Sequence, residues 1–195
     1  MSSSHNQVTI FASGSGSNAE NIIRYFNNHP SIKINLIITN NAEAGVIQRA
    51  VRLNTPYLII DKKRLQDEKS FNEILCSNNT DFIILAGFLL KMPHWLVKNY
   101  ENKIINLHPS LLPKFGGKGM YGMYVHNAVI ASGETESGIT IHLVNENYDE
   151  GRILMQARCI INNEMSAEKL AEKIHRLEYS YFPISIEHYI MFESD

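Results

Sequence analysis

Val8 to Ser13 is a short β-rich run that ends in Ser13-Gly14-Ser15-Gly16-Ser17-Asn18 and passes directly into a helical pattern of Ile22, Ile23 and Phe26. This strand, glycine loop and helix constrain the fold more than any other feature. A small-residue turn between a buried strand and a helix belongs to a sheet whose strands alternate with helices. The alternation continues. Ile32 to Thr39 reads as a second strand, followed by a helix from Gly45 to Leu53 and a weaker strand from Tyr57 to Ile60. Phe71, Ile74 and Leu75 form the face of the next helix. Phe82 to Leu85 is continuously apolar, as a strand buried on both faces should be. Pro93 opens a short helix through Val97, and Lys103 to Asn106 makes a fifth strand.

The last third changes character. Thr140 to Val144 and Ile153 to Ile160 read as strands joined by a short turn, so they are expected to be antiparallel neighbours. Ser166 is a candidate N-cap for a long helix. Its expected apolar stripe is Leu170, Ile174, Leu177, Tyr181 and Ile184, with a kink at Pro183. The predicted class is therefore α/β, a Rossmann-like mostly parallel sheet with helices on both faces and an antiparallel C-terminal edge.

The 195 residues suit a single domain over 1–195, with 1–7 expected to be flexible. The formal net charge of −2 disfavours a nucleic-acid partner. The longest apolar run, Phe82 to Leu90, is too short for a membrane helix, and the polar start predicts no signal peptide. Cys76 and Cys159 form no C-x-x-C pair, which fits a reducing, cytoplasmic setting.

Gly14-x-Gly16-x-x-Ala19 matches a dinucleotide fingerprint on paper. Its physics supports an anion at a helix N-terminus more than it supports a nicotinamide cofactor. The second strand ends in Thr39-Asn40-Asn41, with Glu43 as the nearest carboxylate, so the ribose-holding acid is missing. Ser17 and Asn18 add donors suited to a phosphate monoester. An ordinary tight turn is the plainer alternative.

Asn106-Leu107-His108-Pro109 leaves the fifth strand. Residues two apart share a face of an extended chain, and Pro109 keeps His108 extended. An amide N–H beside an imidazole suits acyl transfer, because one holds an oxyanion while the other exchanges a proton. No nucleophile elbow stands out, and His126, His142 and His175 show no metal-binding spacing. Direct transfer between two bound substrates fits better than a covalent intermediate, with no metal. Asp149, in the last inter-strand turn, either bonds its own backbone or pairs with His108 and raises its proton affinity. Glu178 falls about 40° around the helix from Ile174 and about 60° from Tyr181, at the edge of the expected stripe. A carboxylate there is solvated, paired or bound to a ligand.

In this order, the glycine–serine–asparagine loop, Leu85-Ala86-Gly87-Phe88, Ile105-Asn106-Leu107-His108-Pro109-Ser110-Leu111-Leu112-Pro113 and Tyr148-Asp149-Glu150-Gly151 resemble the phosphoribosylglycinamide formyltransferases. The resemblance runs from Val8 to Ile190. It implies that Gly16, Ser17 and Asn18 hold a ribonucleotide phosphate, and that Asn106, His108 and Asp149 are catalytic. It further implies that Glu178 meets the glycinamide end of the substrate. Leu89, Leu90, Lys91 and Met92 would line a pteridine pocket, largely through backbone groups, and Gly116 to Gly119 would belong to a mobile loop.

The implied co-substrate is 10-formyltetrahydrofolate, and the implied acceptor is the amine of glycinamide ribonucleotide, in purine biosynthesis. The implied partners are small molecules, with neither nucleic acid nor membrane. The resemblance also makes Leu112-Pro113 a candidate cis peptide. The chain departs from the family's pattern at the arginine near the folate tail, where Arg64, Lys63 and Lys69 compete. Formyltetrahydrofolate hydrolase, methionyl-tRNA formyltransferase, a nucleotide-binding regulatory module and a Rossmann oxidoreductase remain the alternatives.

Overall fold

The computed structural model describes residues 5–162 and 164–194. Five strands come first: β1 (Asn6–Phe11), β2 (Ile32–Thr39), β3 (Tyr57–Ile59), β4 (Phe82–Leu85) and β5 (Ile104–His108). Between them lie α1 (Ser17–Tyr25), α2 (Gly45–Arg52), α3 (Lys62–Gln66), α4 (Glu68–Ser77) and α5 (His94–Asn99). The chain then continues through α6 (Met123–Ala131), β6 (Glu136–Leu143), β7 (Ile153–Ile160) and α7 (Ala167–Phe192). The strand order is β3-β2-β1-β4-β5-β6-β7. β1 pairs in parallel with β2 and β4, and β2 with β3, whereas β6 and β7 are antiparallel. The mostly parallel α/β class with an antiparallel C-terminal edge is thus the one the sequence predicts.

The chain gathers into two compact units, which divide within β5 at Ile105 and Asn106. In the first, all four residues of β4 are buried, and Ile10, Ile38 and Ile84 are fully enclosed. Continuous apolar runs can fill these strands because helices cover the parallel sheet. Side-chain caps set two helix starts, where Asp61 accepts from Arg64 N at 2.7 Å and Asp67 from Ser70 N at 3.2 Å. Each satisfies an amide that the helix itself leaves open.

In the second unit, Ser166 caps α7 as expected, accepting from Lys169 N at 3.3 Å. The stripe of α7 differs from the sequence reading. Its buried row is Leu170, Ile174, Glu178, Phe182, Ile186 and Ile190, and α7 continues through Pro183. Tyr181 is 38% and Ile184 51% exposed. Steps of four advance about 40° around the helix, so the buried row winds across α7, whereas alternating steps of four and three hold nearly one line along the axis. Glu178 therefore lies within the buried row and not at its edge.

Several boundaries shift. β1 begins at Asn6 and β6 at Glu136, earlier than expected, while β5 reaches His108 and Pro93 is the N-cap of α5, not its first residue. Residues 1–4 of the N-terminus expected to be flexible lie outside the described residues. Neither α3 nor α6 is part of the sequence reading.

Candidate active site

Gly16 caps α1 with a left-handed φ of 74°. A Cβ placed there would come within 2.5 Å of the Val46 side chain, so glycine meets both the conformation and the space. Val46 N donates to Gly14 O at 3.2 Å, and Glu20 N to Gly16 O at 2.9 Å. The N-terminal amides of α1 therefore start at Ser17 and Asn18, where the positive end of the helix dipole lies. Ser13 Oγ donates to Asn40 Oδ1 at 2.5 Å, which engages the amide at the end of β2. Glu43 is exposed beyond it.

The Leu89–Met92 segment belongs to the same unit. Leu89 N donates to Ser13 Oγ at 2.9 Å, and Ser13 N to Gly87 O at 3.1 Å, so this segment is tied to the start of the glycine loop. Leu89 and Lys91 are exposed, Leu90 is half-buried and the Met92 side chain is buried. Lys63 and Arg64 lie on α3, and Lys69 on α4.

The second unit brings Asn106, His108 and Asp149 together around a residue that sequence reasoning passed over, His142. Nδ1 of His142 lies 2.8 Å from its own neighbour's carbonyl, Leu143 O. A carbonyl only accepts, so Nδ1 carries the proton and Nε2 is left as the acceptor in the neutral ring. Asn106 Nδ2 donates to that Nε2 at 3.0 Å. One amide hydrogen of Asn106 is thereby engaged and the other remains on the same nitrogen.

His108 is 4% exposed. Its Nε2 donates to Phe115 O at 2.8 Å, which turns Nδ1 toward Asp149 Oδ2 at 3.6 Å. Asp149 Oδ1 stands 3.6 Å from His142 Nε2, so the carboxylate spans the two rings. It also accepts from Gly117 N at 2.8 Å.

The segment after β5 makes this convergence possible. Thr140 Oγ1 donates to Ser110 O at 2.7 Å and accepts from Leu112 N at 3.0 Å, and the Leu112-Pro113 bond is cis. Gly116 has no Cβ to strike Leu112 Cδ2, which would lie 2.6 Å away, and the backbone passes close to Asp149. Asp149 takes a left-handed φ of 57°, which Asp tolerates better than most residues.

Burial pushes the His108 pKa down; the Asp149 charge and the Phe115 carbonyl push it up without overcoming burial, and the His142 ring lowers it further. Asp149 thus acts in the expected direction, but the net shift is downward and the ring favours the neutral form. Burial raises the Asp149 pKa, yet the His142 and His108 rings and the Gly117 amide outweigh it and leave it low.

Glu178 is 5% exposed and accepts from His175 Nδ1 at 2.9 Å. That bond raises the His175 pKa against the opposing effect of burial, and the Glu178 charge adds to the rise. His126 of α6 is also buried, with a pKa lowered first by burial and raised in part by the Glu178 charge. His126 and His142 carry no local motif, so spacing along the chain could not single them out. Among the described residues, no cluster of His, Cys, Asp and Glu could hold a metal ion, and no helix is long and apolar enough to cross a membrane.

Residues 6–186 match the family model for formyl transferases. The chloroplastic phosphoribosylglycinamide formyltransferase of Vigna unguiculata is 37% identical over 193 residues, covering 93% of this chain and 60% of that protein. The Arabidopsis thaliana protein of the same name is 35% identical over 182 residues, covering 90% and 62%. The chain therefore spans under two thirds of the length of these plant relatives. Two solved phosphoribosylglycinamide formyltransferases are matched over most of their length. That of Anaplasma phagocytophilum is 33% identical with a TM-score of 0.84, covering 92% of this chain and 84% of its own. That of Bacillus halodurans is 31% identical with a TM-score of 0.85, covering 97% of each.

Proposed function

The chain belongs to the formyl transferase family, and we propose that it transfers a formyl group from 10-formyltetrahydrofolate to the amine of glycinamide ribonucleotide, in purine biosynthesis. The observation that carries this reading is the convergence of Asn106, His108 and Asp149, with the amide of Asn106 oriented by His142. The family match spans both compact units, which supports a single formyltransferase domain. A cytoplasmic setting is part of the proposal, while two of the plant relatives are named chloroplastic.

The phosphate of the ribonucleotide binds the amides of Gly16, Ser17 and Asn18. A helix N-terminus concentrates donors and positive potential for that charge. Glu178 receives the glycinamide end. Leu89, Leu90, Lys91 and Met92 hold the pteridine of the formyl donor, mainly through backbone groups.

The substrate amine attacks the formyl carbon, and negative charge develops on the formyl oxygen. The second Nδ2 hydrogen of Asn106 donates to that oxyanion. Such a donor acts without reorganisation because His142 already holds the amide in place. His108 is neutral in the resting fold, and its Nδ1 faces Asp149. It can take there the proton that the attacking amine gives up, and the carboxylate stabilises the resulting imidazolium. That proton passes to the folate nitrogen as its bond to the formyl carbon breaks. Asp149 thus tunes a proton carrier and forms no bond to substrate carbon.

The test is an assay of formyl transfer from 10-formyltetrahydrofolate with glycinamide ribonucleotide, water and tRNA as competing acceptors. Formylation of the ribonucleotide in preference to the others is expected. Preferential hydrolysis, or formylation of charged tRNA, would move the chain to another branch of the family.

A further inference from the structure

The second helix, α2, is pressed against the glycine loop, and its contacts determine where the loop's amides point. Val46 N takes the carbonyl of Gly14, and Arg49 Nε donates to the carbonyl of Ser15 at 2.8 Å. In a trans peptide the C=O and the following N–H point in opposite directions. The Ser15 carbonyl and the Gly16 N–H share one peptide unit. With that carbonyl bound to Arg49, the Gly16 N–H must face away from α2. Gly45 allows this approach, since even its missing Cβ would lie 3.2 Å from Ser15 O.

Arg49 is itself held. Its NH1 is paired with Glu20 Oε2 on α1, and Arg52 NH2 meets the same oxygen at 2.7 Å. Arg24 reaches Glu20 Oε1 through Nε at 3.0 Å and NH2 at 2.9 Å. Burial pushes the Glu20 carboxyl up, but Arg24, Arg49 and Arg52 outweigh it and hold its pKa at about 2. Of these three arginines, Arg49 joins the carboxylate to the loop backbone.

We propose that Arg49 is a positioning residue for the anion loop: its bond to Ser15 O, braced by Glu20, presents the Gly16 N–H to the phosphate of the substrate. The inference rests on the proposed phosphate site and adds a residue that touches no substrate. Because it acts on the loop and not on the reacting atoms, it governs binding of the phosphorylated substrate and leaves the chemical step alone.

Steady-state kinetics of Arg49→Gln, Arg49→Lys and Arg52→Gln test this. Arg49→Gln should raise the KM for glycinamide ribonucleotide about tenfold or more, with kcat and the folate KM within about threefold, as loss of ground-state binding requires. Arg49→Lys should behave similarly, because an ammonium cannot replace the fork that reaches two acceptors. Arg52→Gln should stay within about twofold of the parent, since Arg52 bonds Glu20 and not the loop.

A KM unchanged in Arg49→Gln overturns the inference. Full rescue by lysine does so too, or an equal effect of Arg52→Gln, since either would make bulk charge the cause. Equal losses in kcat and in both KM terms would reveal a general folding defect and also count against it. Titration of the Gly16 amide resonance with inorganic phosphate needs no turnover. Weaker phosphate binding in Arg49→Gln therefore supports the inference even if the parent protein proves to formylate another acceptor, and unchanged phosphate binding overturns it.

Discussion

Asn106 Nδ2 lies 3.0 Å from His142 Nε2, and this one contact decides which end of the Asn106 amide meets the His142 ring. The order of causes runs backward along β6. The Leu143 carbonyl fixes the proton on His142 Nδ1, Nε2 becomes an acceptor, and only the NH2 end of Asn106 can answer it. Removing the ring frees the amide to flip and present its oxygen to a developing oxyanion. His142→Ala should therefore lower kcat by about 10-fold or more, less than the roughly 10²-fold expected of Asn106→Ala. Steady-state rates at saturating substrates check the order of the two. A His142→Ala protein as active as the parent would remove this orientation from the mechanism.

His108→Ala removes the proposed proton carrier. General acid–base groups contribute about 10²–10⁴-fold, and turnover should fall within that range. The ring's hydrogen bond to Phe115 O is lost, but the strand around it is held by β-sheet pairing, so circular dichroism should remain that of the parent. A folded variant with near-normal turnover would refute the assignment.

The pH behaviour follows from the signs of two shifts. His108 is depressed below its ordinary value, chiefly by burial, so the fold prefers the neutral ring. Its contribution to stability falls as pH drops below about 6.5, where the unfolded ring takes up a proton first. Asp149 is depressed despite its burial, so its contribution is present above its unfolded value and lost as pH falls through the lower folded value. The two effects act in successive acidic windows. Asp149→Asn removes the principal influence that raises His108, and the ring should titrate still lower. Ring-carbon NMR across pH 4–8 (about two units either side of the ordinary value) reads this directly. A His108 titration that does not move between parent and variant contradicts the pairing.

Local signals made much of this fold legible. Phe82 to Leu85 and Ile153 to Ile160 appear as strands with the expected limits, and Ser166 caps the last helix, because each is set by neighbours in sequence. The helix α6 left no such mark. Apart from His126 and Asn127, α6 consists of Met123, Tyr124, Val125, Ala128, Val129, Ile130 and Ala131, so no polar face defines a period. His142 was hidden for a different reason, since its partner Asn106 is 36 residues away and only sheet pairing brings them together. The sequence singles out Glu178, but its burial depends on which ridge α7 turns inward. That choice is tertiary, and the expected stripe from Leu177 to Ile184 lies one ridge aside of the buried row.

Gly16→Ala tests how tightly the anion loop is built. The left-handed conformation costs a side-chain-bearing residue about 1–2 kcal/mol, and forcing a methyl against Val46 costs about 1–3 kcal/mol more. Together these predict a loss of roughly 2–5 kcal/mol, or a fall in Tm of roughly 4–20 °C for a chain of this size. Thermal melts measure it. A Tm within a degree of the parent (roughly half a kcal/mol) would mean that the loop relaxes freely, and Arg49 would then have nothing rigid to hold.

The anion loop also separates the proposed substrate from a dinucleotide. On the proposed reading, a phosphate monoester ends at the helix N-terminus and is satisfied there by the amides of Ser17 and Asn18 with that of Gly16. A dinucleotide pyrophosphate continues toward a ribose, whose hydroxyls need an acidic partner at the end of β2. That position carries Asn40, whose amide oxygen already accepts from Ser13 Oγ, while Glu43 points into solvent beyond the turn. Glycinamide ribonucleotide should therefore slow hydrogen exchange at Gly16, Ser17 and Asn18, and NAD at the same concentration should not. Inorganic phosphate should compete with the ribonucleotide for this protection, since both engage the same donors. Protection of these amides by NAD, with none from the ribonucleotide, would reverse the assignment and favour a nicotinamide-dependent oxidoreductase.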